Sequence, residues 1–176
     1  MKVTQIYPVR PGTRLLFHGQ ELMLSVTTTL RKPAVRITAQ HLQVNFYQDA
    51  PQLPLSILLA RWYKVQALSY LKERTCFWAS HLGVSFNRIT IKDQRSRWGS
   101  CSSLHNLNYN WRIIMAPEPV IDYLVIHEAA HLVHLNHSAD FWKLVALHDP
   151  EFRQHKRWLR DNGLRLFQML PKQNYQ

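Results

Sequence analysis

Short stretches of alternating and β-branched residues fill the first 50 residues of the chain, and this pattern predicts β-strands. Glycine, Lys-Pro and polar residues separate the stretches and favour turns between them. After Pro54, apolar residues recur at spacings of three and four, which predicts a long helix that ends near Gly83. The predicted strands span residues Arg14–Phe17, 21–28, 34–39 and 42–46.

Alternation returns in the second half of the chain and predicts strands over residues 88–93 and 106–114. The segment that begins at Pro117 or Pro119 is rich in Leu, Val, Ile and Ala, and it predicts a helix that runs toward Leu135. Strands that come first and helices that come later are typical of an α+β domain.

Two further helices are predicted near the carboxyl end of the chain. Ser138 is the expected N-cap of the first, which continues through Phe141. The second is expected over residues 151–162, with Gly163 as its stop signal.

The composition is that of a folded globular protein, because 46% hydrophobic and 19% charged residues suit neither a disordered tail nor a charged coiled coil. Two cysteines are too few for a disulfide scaffold. No apolar run approaches the ~20 residues that cross a bilayer, and the first residues lack the apolar core of a signal peptide. We therefore expect a cytoplasmic protein with no membrane partner.

Charge is distributed unevenly along this basic chain of net charge +11. Residues 101–150 hold two basic and five acidic residues, a net charge of −3, whereas the other segments are all positive. A basic surface favours polyanions such as nucleic acids and nucleotides. The sequence has no run of five like charges of the kind that marks a dedicated binding tail. The excess of positive charge is therefore also compatible with a role in solubility alone.

Residues 127–131 read His-Glu-Ala-Ala-His, an HExxH motif inside a predicted helix. Histidines at positions i and i+4 project from one face of a helix, where both imidazoles can bind one metal ion. Glu128 lies beside the first ligand and can reach a water on the metal, whose pKa zinc lowers to about 7. The motif predicts His127 and His131 as metal ligands and Glu128 as a general base.

The spacing of the histidines alone does not identify the third metal ligand. His134 shares the helix face, but it would lie about 10 Å from His127 along a straight helix. His137 avoids this problem if the helix ends near Leu135 and the chain turns at Asn136, so we favour it. Glu151 is the remaining candidate, because many zinc enzymes of this type take a downstream glutamate.

Several segments together resemble one known family more specifically than HExxH does alone. The sequence resembles the YgjP-like metallopeptidase domain family, a family of predicted metal-dependent hydrolases related to the SprT zinc proteases. The segments that carry the resemblance are residues 96–103, 107–112, 121–123, 127–131, 136–138 and 141–142.

The resemblance implies a zincin-like fold, in which a sheet packs against the HExxH helix. It also implies that His127, His131 and His137 hold Zn²⁺ and that Glu128 is the general base. The substrate is implied only weakly, because some family members have been linked to nucleotide hydrolysis. His134 stands where metzincins have a glycine, and no Met-turn is visible, so metzincin membership is excluded.

Substrate contacts are predicted beside the strand over residues 106–114, at whose edge an extended peptide can add as a further strand. Arg97, Asn110 and Arg112 are the candidate substrate-binding residues, and either arginine can contact a carboxylate or phosphate. The alternative is that both arginines are structural ion-pair partners within the fold.

We therefore expect a zinc-dependent hydrolase, most simply a metallopeptidase acting on peptides or proteins. One alternative is a nucleotide phosphoanhydride hydrolase, which the charge favours although no Gly-rich phosphate loop is present. Another is a nucleic-acid-binding protein or nucleic-acid-associated protease, although no recognised binding motif supports it. A single domain over residues 1–176 is expected, with a strand-rich start and long helix (1–87), a catalytic core (88–165) and a tail (166–176).

Overall fold

The computed structural model describes residues 9–29, 33–47, 54–94 and 96–170. Within these residues, two small sheets and a set of helices confirm the α+β class. The strands are β1 (Arg14–Phe17), β2 (Gln20–Thr29), β3 (Ala34–Thr38), β4 (His41–Tyr47), β5 (Arg88–Lys92), β6 (Gly99–Cys101) and β7 (Asn106–Asn110). The helices are α1 (Leu55–Leu82), α2 (Glu118–Ala130), α3 (Ala139–His148) and α4 (Phe152–Met169), with a 3₁₀ helix at Trp111–Met115.

Two separate sheets are built from these strands. The first has the order β1-β2-β4-β3, in which β2 and β4 are parallel and the other pairs antiparallel. The second has the order β5-β7-β6, with β5 parallel and β6 antiparallel to the central strand β7. Strand β6 packs against helix α2, so the HExxH helix lies against the small sheet as the zincin-like expectation requires.

Strand β7 is shorter than predicted, because the chain leaves the sheet after Asn110 and forms the 3₁₀ helix. The Asn110 side chain accepts a hydrogen bond from the Arg112 backbone N–H and so caps the new helix. All five residues of the 3₁₀ helix are buried. Residues 111–115 therefore form a fully buried helical turn and not the end of a half-buried strand.

Helix α1 links the first sheet to the HExxH helix. The Tyr63 hydroxyl donates to the Leu16 carbonyl of β1 at 2.8 Å. The Arg74 guanidinium forms two hydrogen bonds of 2.7 and 2.6 Å with the Asp122 carboxylate of α2. The helix ends at Gly83 in the left-handed conformation, which confirms the predicted stop. No helix within the described ranges combines the length and apolarity needed to cross a membrane.

Helix α4 does not stop at Gly163, contrary to the prediction, but continues to Met169. A Cβ atom at Gly163 would lie 3.3 Å from the Trp98 indole ring, so the glycine permits close packing inside the helix. Trp98 also stacks on Phe167 of the same helix, with ring centroids 4.6 Å apart. The helix thus includes the first residues of the predicted tail, of which residues 171–176 lie outside the described ranges.

The tip of the β1–β2 hairpin contacts the segment that leads into α2. The backbone N–H of His18 donates to the Ile114 carbonyl at 2.9 Å, and that of Gly19 donates to the Met115 carbonyl at 3.1 Å. Both tip residues have positive φ, 48° and 77°, as a two-residue hairpin turn requires. A Cβ atom at Gly19 would lie 3.0 Å from the Pro117 Cα, so the hairpin fits only with glycine there.

Replacing Gly19 by alanine is expected to destabilise the protein more than the same change at Gly83. Both glycines have positive φ, but only Gly19 faces a neighbour within 4 Å. The Gly83→Ala control should therefore show a backbone penalty of about 1–2 kcal/mol, and Gly19→Ala a further 1–3 kcal/mol, roughly, from overpacking against Pro117. Urea denaturation of both variants measures the difference, and equal losses of stability would contradict the docking of the hairpin.

Candidate metal centre

Helix α2 carries the HExxH motif in its last turn. The helix ends at Ala130, earlier than predicted, but His131 at its C-cap keeps right-handed helical angles (φ −68°, ψ −16°). His127 and His131 therefore retain the helical i, i+4 relation, and their ring centroids lie 5.1 Å apart.

A tight turn follows the helix and brings His137 back to the motif. The Leu132 N–H donates to the Ala129 carbonyl at 3.0 Å, and the His134 N–H to the Ala130 carbonyl at 2.9 Å. The chain turns without a positive φ at Asn136, a residue type that tolerates the left-handed conformation.

The next helix, α3, starts where it was predicted to start. The Ser138 hydroxyl accepts a hydrogen bond from the Phe141 backbone N–H at 3.3 Å, which confirms it as the N-cap. Because Ser138 directly follows His137, this cap fixes the backbone at the point where the third histidine leaves the turn.

Three imidazoles converge at this point. One nitrogen from each of His127, His131 and His137 lies within 4.8 Å of the other two, and the Nε2 atoms of His127 and His137 are 3.1 Å apart. Among the residues that the structure describes, no other group of three His, Cys, Asp or Glu side chains is arranged in this way. The side chains of His134 and Glu151 are not members of the group, so the arrangement favours His137 as the third ligand.

Neighbouring groups fix the orientation of the imidazoles. The Nδ1 of His131 lies 3.0 Å from the His134 carbonyl, which can only accept, so Nδ1 carries the proton and Nε2 is left with a lone pair. The Phe141 ring is fully buried and lies 4.6 to 5.0 Å from all three imidazole centroids. Trp142 stacks on His137 at 5.6 Å. The imidazoles are thus held by aromatic packing and one backbone carbonyl.

The surroundings of His127 and His131 favour neutral imidazoles. Burial lowers the pKa of His127 to about 3, and the nearby charges of His131, His137 and Lys156 act in the same direction. Burial also lowers the pKa of His131. A neutral imidazole offers the lone pair that a metal ligand needs, so the donor set fits a metal ion.

Glu128 directly follows His127, lines the same cavity and is 4% exposed. Burial raises the pKa of its carboxyl to about 8. Its Oε2 atom is buried and has no hydrogen-bond partner among the described residues. A divalent cation nearby favours the charged carboxylate, so a metal at the imidazoles would counteract the effect of burial.

Gly99 provides the space that Glu128 occupies. A Cβ atom at Gly99 would lie only 2.4 Å from the Glu128 Oε1, a separation that real atoms do not reach. Gly99 belongs to β6, which forms an edge of the second sheet, whereas β7 lies at its centre. The cleft edge is therefore β6, and the expectation that the strand over residues 106–114 forms it is corrected.

The structure places only one of the three candidate substrate-binding residues at the cleft. Arg97 is exposed and lines a cavity of about 350 Å³ together with His127 and Glu128. Asn110 is fully buried, and its amide donates to the Gln94 carbonyl at 2.7 Å. Asn110 therefore connects the loop before β6 to the end of β7, and the prediction that it contacts substrate is corrected.

Arg112 is likewise a structural residue. Its side chain is 2% exposed and donates to the Asp93 carboxylate at 2.6 Å and to the Leu170 carbonyl at 3.1 Å. Burial acts to raise the pKa of Asp93, but the hydrogen bond and charge of Arg112 outweigh it and lower that pKa. Arg112 therefore ties the end of α4 to the second sheet, and the alternative of a structural ion pair describes it correctly.

Sequence reasoning missed three residues of the site. Phe141 and Gly99 belong to the segments that carry the family resemblance, but the sequence assigns neither of them a place beside the imidazoles. Lys156 carries no sequence signal of its own, because only the tertiary fold brings α4 to the motif.

The chain combines an α+β fold, an HExxH helix and a third histidine that a turn brings back to this helix. This combination defines the class of HExxH metal-binding domains. The family model described as YgjP-like, metallopeptidase domain matches residues 3–162, and the chain belongs to this family. The resemblance found in the sequence is therefore confirmed, and membership indicates a hydrolase and implies a metal ion.

A solved structure is also similar to part of the chain. The crystal structure of the metallopeptidase zymogen of Pyrococcus abyssi abylysin has 20% sequence identity and a TM-score of 0.47, over 52% of this chain and 93% of that chain. No curated protein matches the chain.

The contact between Gly99 and Glu128 predicts a strong coupling between the two positions. Gly99→Ala should destabilise the protein by about 1–3 kcal/mol, because the new methyl group overlaps the Glu128 carboxyl. In a Glu128→Ala background the overlap is absent, and most of this penalty should disappear. Chemical denaturation of the parent, both single variants and the double variant measures the coupling. The same penalty in both backgrounds would contradict the close approach of the two residues.

Proposed function

We propose that the chain is a zinc-dependent hydrolase that cleaves peptide bonds. His127, His131 and His137 hold the metal, and Glu128 is the general base. The observation that carries the proposal is the convergence of three imidazole nitrogens within 4.8 Å, beside a buried carboxyl oxygen without a partner.

The donor set supports zinc in particular. Zinc accepts three neutral imidazoles readily and keeps a fourth position open in catalytic sites. Tetrahedral coordination with bonds of about 2.1 Å separates two ligand nitrogens by about 3.4 Å. The 3.1 Å between the Nε2 atoms of His127 and His137 is close to that separation.

When bound, zinc supplies acidification of water and polarisation of the substrate carbonyl. Glu128 accepts the proton of the attacking water at its free Oε2 and delivers it to the leaving amine. Burial alone raises the pKa of the carboxyl and favours its neutral form, whereas a cation held by the imidazoles would favour the charged form that can accept a proton. Packing of Phe141 and Trp142 around the imidazoles limits the access of other water to the site.

The edge strand β6 supports an extended peptide as substrate. Its residues pair with β7 on one side only, and Gly99 places the strand directly against Glu128. A peptide added along the free edge would gain main-chain hydrogen bonds and bring one of its carbonyls toward the catalytic residues. We propose a polypeptide, rather than a nucleotide, as the substrate for this reason.

Metal binding should depend on His137 and not on the side chain of His134. Elemental analysis should give about one zinc per chain for the parent and for His134→Ala, because His134 contributes only its backbone carbonyl. His137→Ala should lose most of the zinc, a larger effect than the roughly 10- to 100-fold affinity loss typical of an outer partner. Full zinc occupancy of His137→Ala, with the fold intact, would contradict the three-histidine site.

Glu128→Gln should remove turnover while zinc remains bound. The amide keeps the size of the side chain but cannot accept the proton, so a loss of about 10²- to 10⁴-fold is expected. Peptide hydrolysis is measured together with zinc content and thermal unfolding, which serve as the controls for an intact site. Parent-like cleavage in this variant contradicts the mechanism, and Glu128-dependent turnover of nucleoside triphosphates without peptide cleavage contradicts the proposed substrate.

A further inference from the structure

The cavity beside the imidazoles has two walls from different parts of the chain. One wall is the segment of Arg97, Trp98 and Gly99, and the other is the amino-terminal half of α4, which contributes Lys156 and Arg160. His127 and Glu128 lie between these walls, together with the apolar side chains of Leu124 and Leu159. A substrate in this cavity therefore passes between cationic side chains on both sides.

Within the described residues, no buried or strong ion pair neutralises these three cations. Arg97 is exposed, and its guanidinium has no ion pair or hydrogen bond there. Among the same residues Arg160 pairs only with its neighbour Asp161, and the two side chains are 72% and 53% exposed, so this pair is weak. The Lys156 ammonium lies 4.4 Å from the centroid of the Trp142 ring and contacts no carboxylate in the described residues.

Among the residues that line the cavity, Glu128 is the one acidic side chain, and its carboxyl is buried. The proposed mechanism uses Glu128 for proton transfer. It assigns no role to Arg97, Lys156 or Arg160. Three cations held around one small cavity, with apolar surface between them, match a side chain that has a short apolar stem and a carboxylate end.

We propose that the cavity selects polypeptides with an acidic side chain next to the scissile bond, and that Arg97, Lys156 and Arg160 determine this specificity. The inference rests on the proposed function, because it assigns the substrate class of the same site. A polypeptide is favoured over a nucleic acid because the chain belongs to a metallopeptidase family and because the free edge of β6 borders the same cavity.

Arg97 and Arg160 contribute differently from Lys156. An arginine presents two parallel N–H groups to a carboxylate, whereas a lysine is a compact charge on a flexible stem. Both walls are exposed to solvent, so the attraction is screened by salt. The preference for acidic peptides should therefore be largest at low ionic strength and decrease as salt is added.

The test uses the zinc-loaded full chain and three internally quenched peptides that differ at one position beside the central bond, with Asp, Asn or Lys. We expect kcat/KM for the Asp peptide to exceed that for the Asn peptide about five- to tenfold at low salt. Arg97→Gln, Lys156→Gln and Arg160→Gln should each bring this ratio toward one. Arg160→Glu should shift the preference toward the Lys peptide.

The matched control is Arg157→Gln, which removes the same charge from the same helix. Arg157 is exposed and does not line the cavity, so the Asp-to-Asn ratio should stay at its parent value. Equal rates for the Asp and Asn peptides would overturn the inference while leaving the hydrolase intact. A decrease in the ratio for Arg157→Gln as large as for Arg160→Gln would overturn it too, because general charge and not the cavity would then be responsible.

A binding measurement separates this inference from the proposed function. Fluorescence anisotropy of the labelled peptides with the zinc-loaded Glu128→Gln variant reports selection without turnover. Tighter binding of the Asp peptide, lost in Arg97→Gln, supports the inference even if no peptide is cleaved by the parent, a result that would contradict only the proposed function. Equal binding of all three peptides, with tight binding of a single-stranded oligonucleotide, would assign the cations to a polyanion and overturn the proposal.

Discussion

Burial of helix α2 is the constraint on which the rest of the structure depends. Nine of its 13 residues are buried, so the helix cannot lie on a surface with one face in water. Helices α1, α3 and α4, the 3₁₀ helix and strand β6 all contact it. Its one mid-helix carboxylate, Asp122, is paired with Arg74 of α1. The fold is thus organised to cover an apolar helix whose last turn carries the first residues of the HExxH motif.

The electrostatics of the site follow from this burial. A helix covered on all sides carries His127 and Glu128 into a poorly solvated place, where both side chains are favoured in their neutral forms. A neutral imidazole and a desolvated carboxyl are both stabilised by a nearby divalent cation, the first through its lone pair and the second through its charge. Metal binding at the proposed site would therefore offset part of the free energy lost in burying them and would couple the fold to the proposed function.

The parts of the fold that the sequence predicts are those determined by local interactions. The end of α1 at Gly83 and the start of α3 at Ser138 depend on backbone conformation and capping within a few residues. The HExxH motif predicts two ligands for the same reason, since helix geometry alone sets their spacing. The end of β7 at Asn110 and the continuation of α4 through Gly163 could not be predicted, because distant partners decide them. Asn110 bonds to the loop before β6, and Gly163 accommodates Trp98 of that loop.

The continuation of α4 through Gly163 also has a consequence for the cavity. Because the helix is unbroken, its amino-terminal half, with Lys156 and Arg160, is continuous with the half that stacks on Trp98. Trp98 precedes Gly99, whose missing side chain makes room for Glu128. The two walls of the cavity and the position of Glu128 therefore depend on one set of contacts. A cation on a rigid helix holds its distance from the reacting groups, whereas one on a loop does not. The proposed selection of substrate charge and the proposed role of Glu128 as a base thus depend on the same packing around Trp98.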